Sequence, residues 1–296
     1  MSWLLIVLIG HFLNALAFLT NKFLLSKGIP SPFVYAVLTG LLGGAAVLLI
    51  PFGFTVPAMP EIWRALAAGG TFILALIWFY AALKQNEASR VVPLVGGLVP
   101  LFTFVLAYFY LGERLANNQI LGFVALVVGG VLITLDKKGK GSATGYLYAV
   151  IAAFVFAVSF VLTKQVFIEQ NFVSGFVWSR IGGFLLALLI LLIPKERHAI
   201  FHPEKTKQGR NIFALFIGGQ IAGALGFVLV NYAISLASVS LVNAMQGVQY
   251  VFLLIAIAFL GRKFPKVLSE KLSGGVLVQK LAAIVLISLG IGLIAF

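Results

Sequence analysis

Three amide side chains, Asn243, Gln246 and Gln249, follow one another at three-residue steps, with Tyr250 beside the last. On a helix that spacing puts them on one face. Amides both donate and accept hydrogen bonds, so such a face suits a polar ligand, and three on one face are hard to assign to packing alone. Gln220, Asn231 and Tyr232 lie in the preceding apolar run and could supplement it. A second stripe holds His11, Asn14 and Asn21, with Phe18 between, at steps of three, four and three. Either it lines a cavity or it hydrogen-bonds neighbouring helices, a contact worth about 1 kcal/mol or less. Imidazole titrates near neutral pH, which makes His11 a candidate for proton coupling. Trp78 and Tyr80 are open to two readings, an interfacial aromatic belt or a substrate-facing wall; Trp3 and Trp63 fit the belt.

Arg180 is the most demanding residue. It sits inside an apolar run, followed by Gly182 and Gly183, and a charge at membrane depth marks a functional candidate. Two roles are open: an ion pair with Glu113 that locks a gate, or a forked receptor for a carboxylate or phosphate, with Lys164 nearby. No acidic residue falls in the middle of an apolar run, which favours neutral, zwitterionic or anionic cargo over cations. No nucleophile–base set, phosphate-cradling glycine loop or Walker pattern is present. His198 and His202, four apart in a basic connection, would need further ligands to hold a metal. The expectation is therefore a protein that is not an enzyme, with no cofactor, no metal site and no direct use of ATP.

The elements that position these residues follow from composition. Of 296 residues, 61% are hydrophobic and 10% charged, against about a quarter charged in soluble domains. Soluble and disordered classes are excluded, and with no cysteine so are disulfide frameworks and thiolate chemistry. Ten apolar runs approach the roughly 20 residues a membrane-crossing helix needs: Trp3–Phe23, Pro32–Pro51, Ala65–Leu83, Val91–Leu111, Ile120–Leu135, Tyr146–Thr163, Phe172–Ile193, Ile212–Leu236, Leu241–Leu260 and Val276–Phe296. Leu41–Ile50 and Phe184–Ile193 do not alternate as membrane β-strands would. The first run has no basic start or A-x-A-like site and is expected to remain as a span. The longer connections, Lys195–Arg210 and Gly261–Gly275, could hold interfacial helices. Gly40/Gly44 and Gly219/Gly223 have the spacing of close helix contacts.

The two halves resemble each other. Leu19-Thr20, Ser31, Phe33-Val34 and Gly40 recur as Leu162-Thr163, Ser174, Phe176-Val177 and Gly183. Ala88-Ser89 and Leu111-Gly112 recur as Ala237-Ser238 and Leu260-Gly261. The expected units are residues 1–136 and 144–296, joined by the KKGKG segment. Five spans is an odd number, so the second unit enters the membrane from the opposite side. The fold class is thus an all-α integral membrane protein of ten transmembrane helices in two inverted five-helix repeats, an architecture recurrent among secondary transporters.

Tyr80-Ala-Ala-Leu, Ala88-Ser89, Pro100-Leu-Phe and Leu111-Gly-Glu-Arg-Leu115, then Gly122 and Gly129-Gly130, with Tyr232-Ala-Ile, Ala237-Ser238 and Leu260-Gly261 in the second half, resemble the EamA-like branch of the drug/metabolite transporter superfamily. The second half departs from the pattern, with Arg262-Lys263 where the family often has Glu-Arg and Gln249 at the position of Pro100. The resemblance implies a cavity lined by spans 1, 3, 4, 6, 8 and 9, and cargo ranging from amino acids and drugs to phosphorylated metabolites. It also implies cytoplasmic termini. The charge pattern disagrees: 17 of the 21 Lys and Arg residues gather on the side of connections 1–2, 3–4, 5–6, 7–8 and 9–10, with Arg64, Arg114 and Lys164 on the other and Arg180 within a span. Positive charge stays cytoplasmic, so both termini are expected outside.

The expected function is a secondary-active transporter of small organic metabolites in the cell membrane, working by alternating access, with Asn14, Trp78, Tyr80, Arg180, Asn243, Gln246, Gln249 and Tyr250 on the substrate. A passive channel or facilitator and a multidrug exporter are the alternatives, and a lipid-acting enzyme ranks last. Partners are the small-molecule substrate and membrane lipid, not nucleic acid. A duplicated chain can work as a monomer, or pair as a homodimer.

Overall fold

The computed structural model describes residues 2–25, 32–134, 141–193, 210–260 and 274–295. Among these there is no strand. The helices are α1 (Ser2–Leu25), α2 (Pro32–Gly43), α3 (Met59–Gln85), α4 (Ala88–Leu106), α5 (Asn117–Thr134), α6 (Ala143–Glu169), α7 (Phe172–Leu191), α8 (Arg210–Leu236), α9 (Val239–Ala244), α10 (Gln246–Leu260) and α11 (Gly274–Ala295). Nine described segments are long and apolar enough to span a membrane, and Ala36–Phe52 is a shorter tenth. They coincide with the ten runs read from the sequence. Connections Lys195–Arg210 and Gly261–Gly275 lie almost wholly outside the described residues, as do His198, His202 and the Asn21 side chain.

Three spans are irregular. The second leaves α-geometry after Gly43 and finishes as a tighter 3₁₀ helix, Gly44–Phe52, which contains Pro51; proline has no N–H to give to an α-helical bond. The fourth widens to a π turn, Ala107–Leu111, and stops at Gly112, whose φ of 67° is left-handed, a region glycine enters at no steric cost. The ninth is broken at Met245 (φ −71°, ψ −2°) into α9 and α10. Span starts carry caps: the Asn171 side chain accepts the Ser174 N–H at 3.0 Å, and Ser238 Oγ accepts the Leu241 N–H at 3.0 Å.

The two halves interleave. α1 packs on α8, α3 on α6 and α7, α4 on α6, α5 on α11, and α10 on both α1 and α5. Small residues permit this. Gly40 lies against Gly183 and Ala187 of α7, and Gly219 and Gly223 lie against Thr20 and Ala17 of α1, so the glycine pairs noted in the sequence are contact surfaces. Between the α3 and α6 ends, Asn86 and Ser142 exchange two hydrogen bonds: the Ser142 N–H donates to Asn86 Oδ1 at 2.6 Å, and Asn86 Nδ2 donates to the Ser142 carbonyl at 3.1 Å.

Candidate substrate-binding site

The break in span 9 sets the polar face. α9 starts on the Ser238 cap and ends at Ala244, so Asn243 occupies its last turn. Asn243 is buried, and its Nδ2 donates to the Val239 carbonyl one turn back at 3.0 Å. Past Met245, Gln246 opens α10, with Gln249 one turn further; both are partly buried. Gln249 faces His11 of α1, as does the Val242 backbone, but neither imidazole nitrogen has a partner in hydrogen-bond geometry although the residue is only 4% exposed. The Tyr250 hydroxyl lies across from Gly96 of α4. The structure therefore sets His11 of α1 against Gln249 of α10, with the Tyr250 hydroxyl of α10 turned towards α4.

Asn14 is placed differently. Its Oδ1 abuts Gly226 of α8, where a side chain would overlap it, so this amide sits in the α1–α8 packing contact. Trp78 lies on Tyr148 of α6, ring centroids 5.2 Å apart. Tyr80 is partly buried, 5.6 Å from the Phe79 ring. Asn231 Nδ2 donates to its own helix, to the Phe227 carbonyl at 2.9 Å.

Arg180 forms a second focus. Its guanidinium lies over three phenylalanine rings, 4.4 Å from the centroid of Phe227 (α8), 5.2 Å from Phe72 (α3) and 5.5 Å from Phe176 (α7). Nε is buried with no hydrogen-bond partner. The expected gate pair with Glu113 is not formed. The Glu113 carboxylate accepts the Ser238 hydroxyl at 2.8 Å and the Val239 N–H at 3.2 Å. It is held where an anion is stabilised, at the start of α9. Lys164 does not assist Arg180 either: its Nζ donates to the carbonyls of Ile234 and Ser235 at 2.9 and 3.3 Å, closing the C-terminal end of α8. Glu169, the other acid on that side, pairs with Arg64 at 2.9 Å. No acidic side chain pairs with Arg180 among the described residues. The aromatic enclosure was not anticipated. Phe176, one turn before Arg180, was within reach of helical spacing; Phe72 and Phe227, on other helices among 27 phenylalanines, were not.

α8 connects the two foci. Phe227 covers Arg180, and the preceding residue, Gly226, takes Asn14 of α1, one turn from His11.

The sequence matches the EamA-like transporter family at residues 1–135 and 143–296. The chain belongs to that family. This EamA-like transporter is 26% identical over 228 residues, 75% of its length and 72% of the relative's, to an "S-adenosylmethionine uptake transporter" of Rickettsia felis. It is 23% identical over 197 residues, 64% of its length and 66% of the relative's, to a "Probable amino-acid metabolite efflux pump" of Escherichia coli. A solved crystal structure superposes with a TM-score of 0.71 over 99% of this chain and 96% of the other, at 22% identity, which is a likeness of fold. Family and relatives support a multi-pass small-molecule transporter.

Proposed function

We propose that this EamA-like transporter carries small organic metabolites bearing a carboxylate or phosphate, zwitterions such as amino acids included, by secondary-active alternating access between its two repeats (1–136 and 144–296). One observation carries the reading: Arg180 is a cation within a membrane span with three phenylalanine rings around it and no acidic partner among the described residues. A central arginine costs about 2.5–3.5 kcal/mol on translocon insertion scales. Cation–π contacts return roughly 0.5–2 kcal/mol each, but they leave the guanidinium's forked donors unmatched. A ligand carboxylate or phosphate matches them. The amides of Gln246 and Gln249 supply adaptable contacts to the rest of the cargo, with Trp78, Tyr80 and Tyr250 as further contacts; Asn14, in the α1–α8 packing, and Asn243, bonded to its own helix, are left out of the site. S-adenosylmethionine and amino-acid metabolites, the cargo in the relatives' names, are compatible with such a site.

The test is ligand-induced thermal stabilisation of the purified protein, since a ligand that binds only the folded state raises its stability. The panel holds amino acids, sugar phosphates, nucleotides and organic cations. Stabilisation by carboxylates or phosphates, lost in Arg180→Ala, is expected. Stabilisation by organic cations alone would refute the anion site and favour an exporter of cationic drugs. Counterflow in proteoliposomes then separates a carrier, which shows it, from a passive channel, which does not.

A further inference from the structure

One internal repeat has no part in the site above. Ala65-Leu66, two residues, then Gly69-Gly70 on α3 recurs as Ala214-Leu215, two residues, then Gly218-Gly219 on α8. The offset is the one that aligns Ala88-Ser89 with Ala237-Ser238. The partner of α3, namely α7, is likewise repeated by α2, with Ser179 and Gly183 falling on Ala36 and Gly40. A duplicated chain thus repeats the sequence elements of one helix–helix seam: α3 and α7 form it, and α8 and α2 carry the corresponding residues.

The two copies are in different states. At the first, Gly69 is buried, and a methyl group there would overlap the Ser179 carbonyl; a methyl on Gly182 would overlap the Leu66 backbone. Backbone meets backbone, and no side chain fits between. Polar contacts latch the same end. Arg64 Nε lies 2.9 Å from Glu169 Oε2, joining α3 to α6. Gln170 Nε2 donates to the Glu61 carbonyl at 3.1 Å. The Thr55 N–H donates to Ser174 Oγ at 2.8 Å, and Asn171 Nδ2 donates to Thr55 Oγ1 at 2.8 Å. At the second copy, Gly218 is exposed and a methyl there would meet nothing within 4 Å. No comparable seam joins α8 to α2 among the described residues; Gly219, the neighbour, is already used against Thr20 of α1.

We propose that the α3–α7 seam is the closed gate of this conformation, and that in the other state it opens while Gly218 of α8 closes against α2 around Ala36 and Gly40. The proposal rests on the alternating-access reading and says which surfaces alternate. Its physical basis is that closely related sequence in repeat-related surroundings can form the same contact at either end, while packed interfaces are bistable rather than continuously deformable. Arg180 is placed to couple cargo to the gate. Its neighbour in the chain, Ser179, forms the closed seam, and its side chain bridges Phe72 of α3 and Phe227 of α8, the two helices that carry the gates.

The chain has no cysteine, so a single Ser179→Cys substitution reports on the closed seam. Ser179 is 2% exposed and reacts with a membrane-impermeant maleimide only when the seam opens. In proteoliposomes without added substrate, Gly218→Leu, at a position where a Cβ meets nothing within 4 Å in the present conformation and where a close approach of α2 would leave no space for a side chain, is expected to slow labelling of Ser179→Cys at least tenfold. Glu169→Gln, which removes the latch charge and leaves the glycine packing intact, is expected to raise it severalfold. Labelling in Gly218→Leu at the rate of the Ser179→Cys parent would overturn the gate assignment and leave alternating access standing. A parent that never labels on either side, while a ligand still stabilises it through Arg180, would overturn alternating access and the gate together.

Discussion

The Glu113 carboxylate and the Ser238 hydroxyl meet at 2.8 Å, joining the end of span 4 to the first turn of span 9. Glu113 also accepts the Val239 N–H, and Ser238 in turn caps Leu241, so one carboxylate of the first half organises the start of the broken helix that carries the amides. Glu113→Ala is expected to cost roughly 1–3 kcal/mol, the range for leaving such donors unmatched. Ser238→Ala is expected to cost about 1 kcal/mol, an ordinary N-cap loss. The double variant should cost less than the sum, because both remove the same contact. Unfolding of the purified protein measures all three, and full additivity would mean the two groups act independently.

Arg180→Lys keeps the charge and loses the planar fork. For a carboxylate or phosphate ligand it should weaken binding about tenfold or more, roughly 1.4 kcal/mol, as expected when two matched hydrogen bonds become one point contact. Phe227→Leu keeps the charge and the fork and removes the nearest ring. It should weaken binding less, by no more than the roughly 0.5–2 kcal/mol of one cation–π contact. Titration by thermal shift or calorimetry ranks the two, and the reverse order would make the rings the main recognition element.

Gln246→Ala and Gln249→Ala should reduce transport while leaving expression and melting temperature near the parent values. Both side chains are only partly buried, so truncation removes little packing. Normal transport in both variants would take α10 out of the site.

His11 is buried with neither ring nitrogen in a hydrogen bond, and Gln249 faces it. If it carries the coupling proton, His11→Gln should abolish accumulation driven by a pH gradient and spare counterflow, which needs no proton transfer. Loss of both would assign His11 to cargo binding or to packing.

The termini are expected outside on the charge distribution. Ser2→Cys should then be labelled by an impermeant maleimide in intact cells, and Gly141→Cys, beside the basic midpoint connection, should not. The reverse pattern would place both termini in the cytoplasm.

All ten spans were legible without coordinates, because crossing a bilayer demands an apolar run of a certain length and that is a property of consecutive residues. Gly112 as the stop of span 4 was visible for the same local reason, as part of the Leu111-Gly-Glu-Arg-Leu115 segment. The break at Met245 and the 3₁₀ turn before Pro51 were not, since neither interrupts the hydropathy. Arg180 shows where sequence reading ended. Its type and depth singled it out, and Glu113 had the right charge on the right side, yet Glu113 went to Ser238 and Val239 while three rings from three helices enclosed the arginine. Asn14 likewise had the spacing of a cavity residue and lies on Gly226. Sequence by itself determined which residues lie within the membrane and at roughly what depth. Only the tertiary structure decided what each polar group meets there, because partners at one depth are chosen by which helices pack side by side, and that choice depends on contacts between residues far apart in the chain.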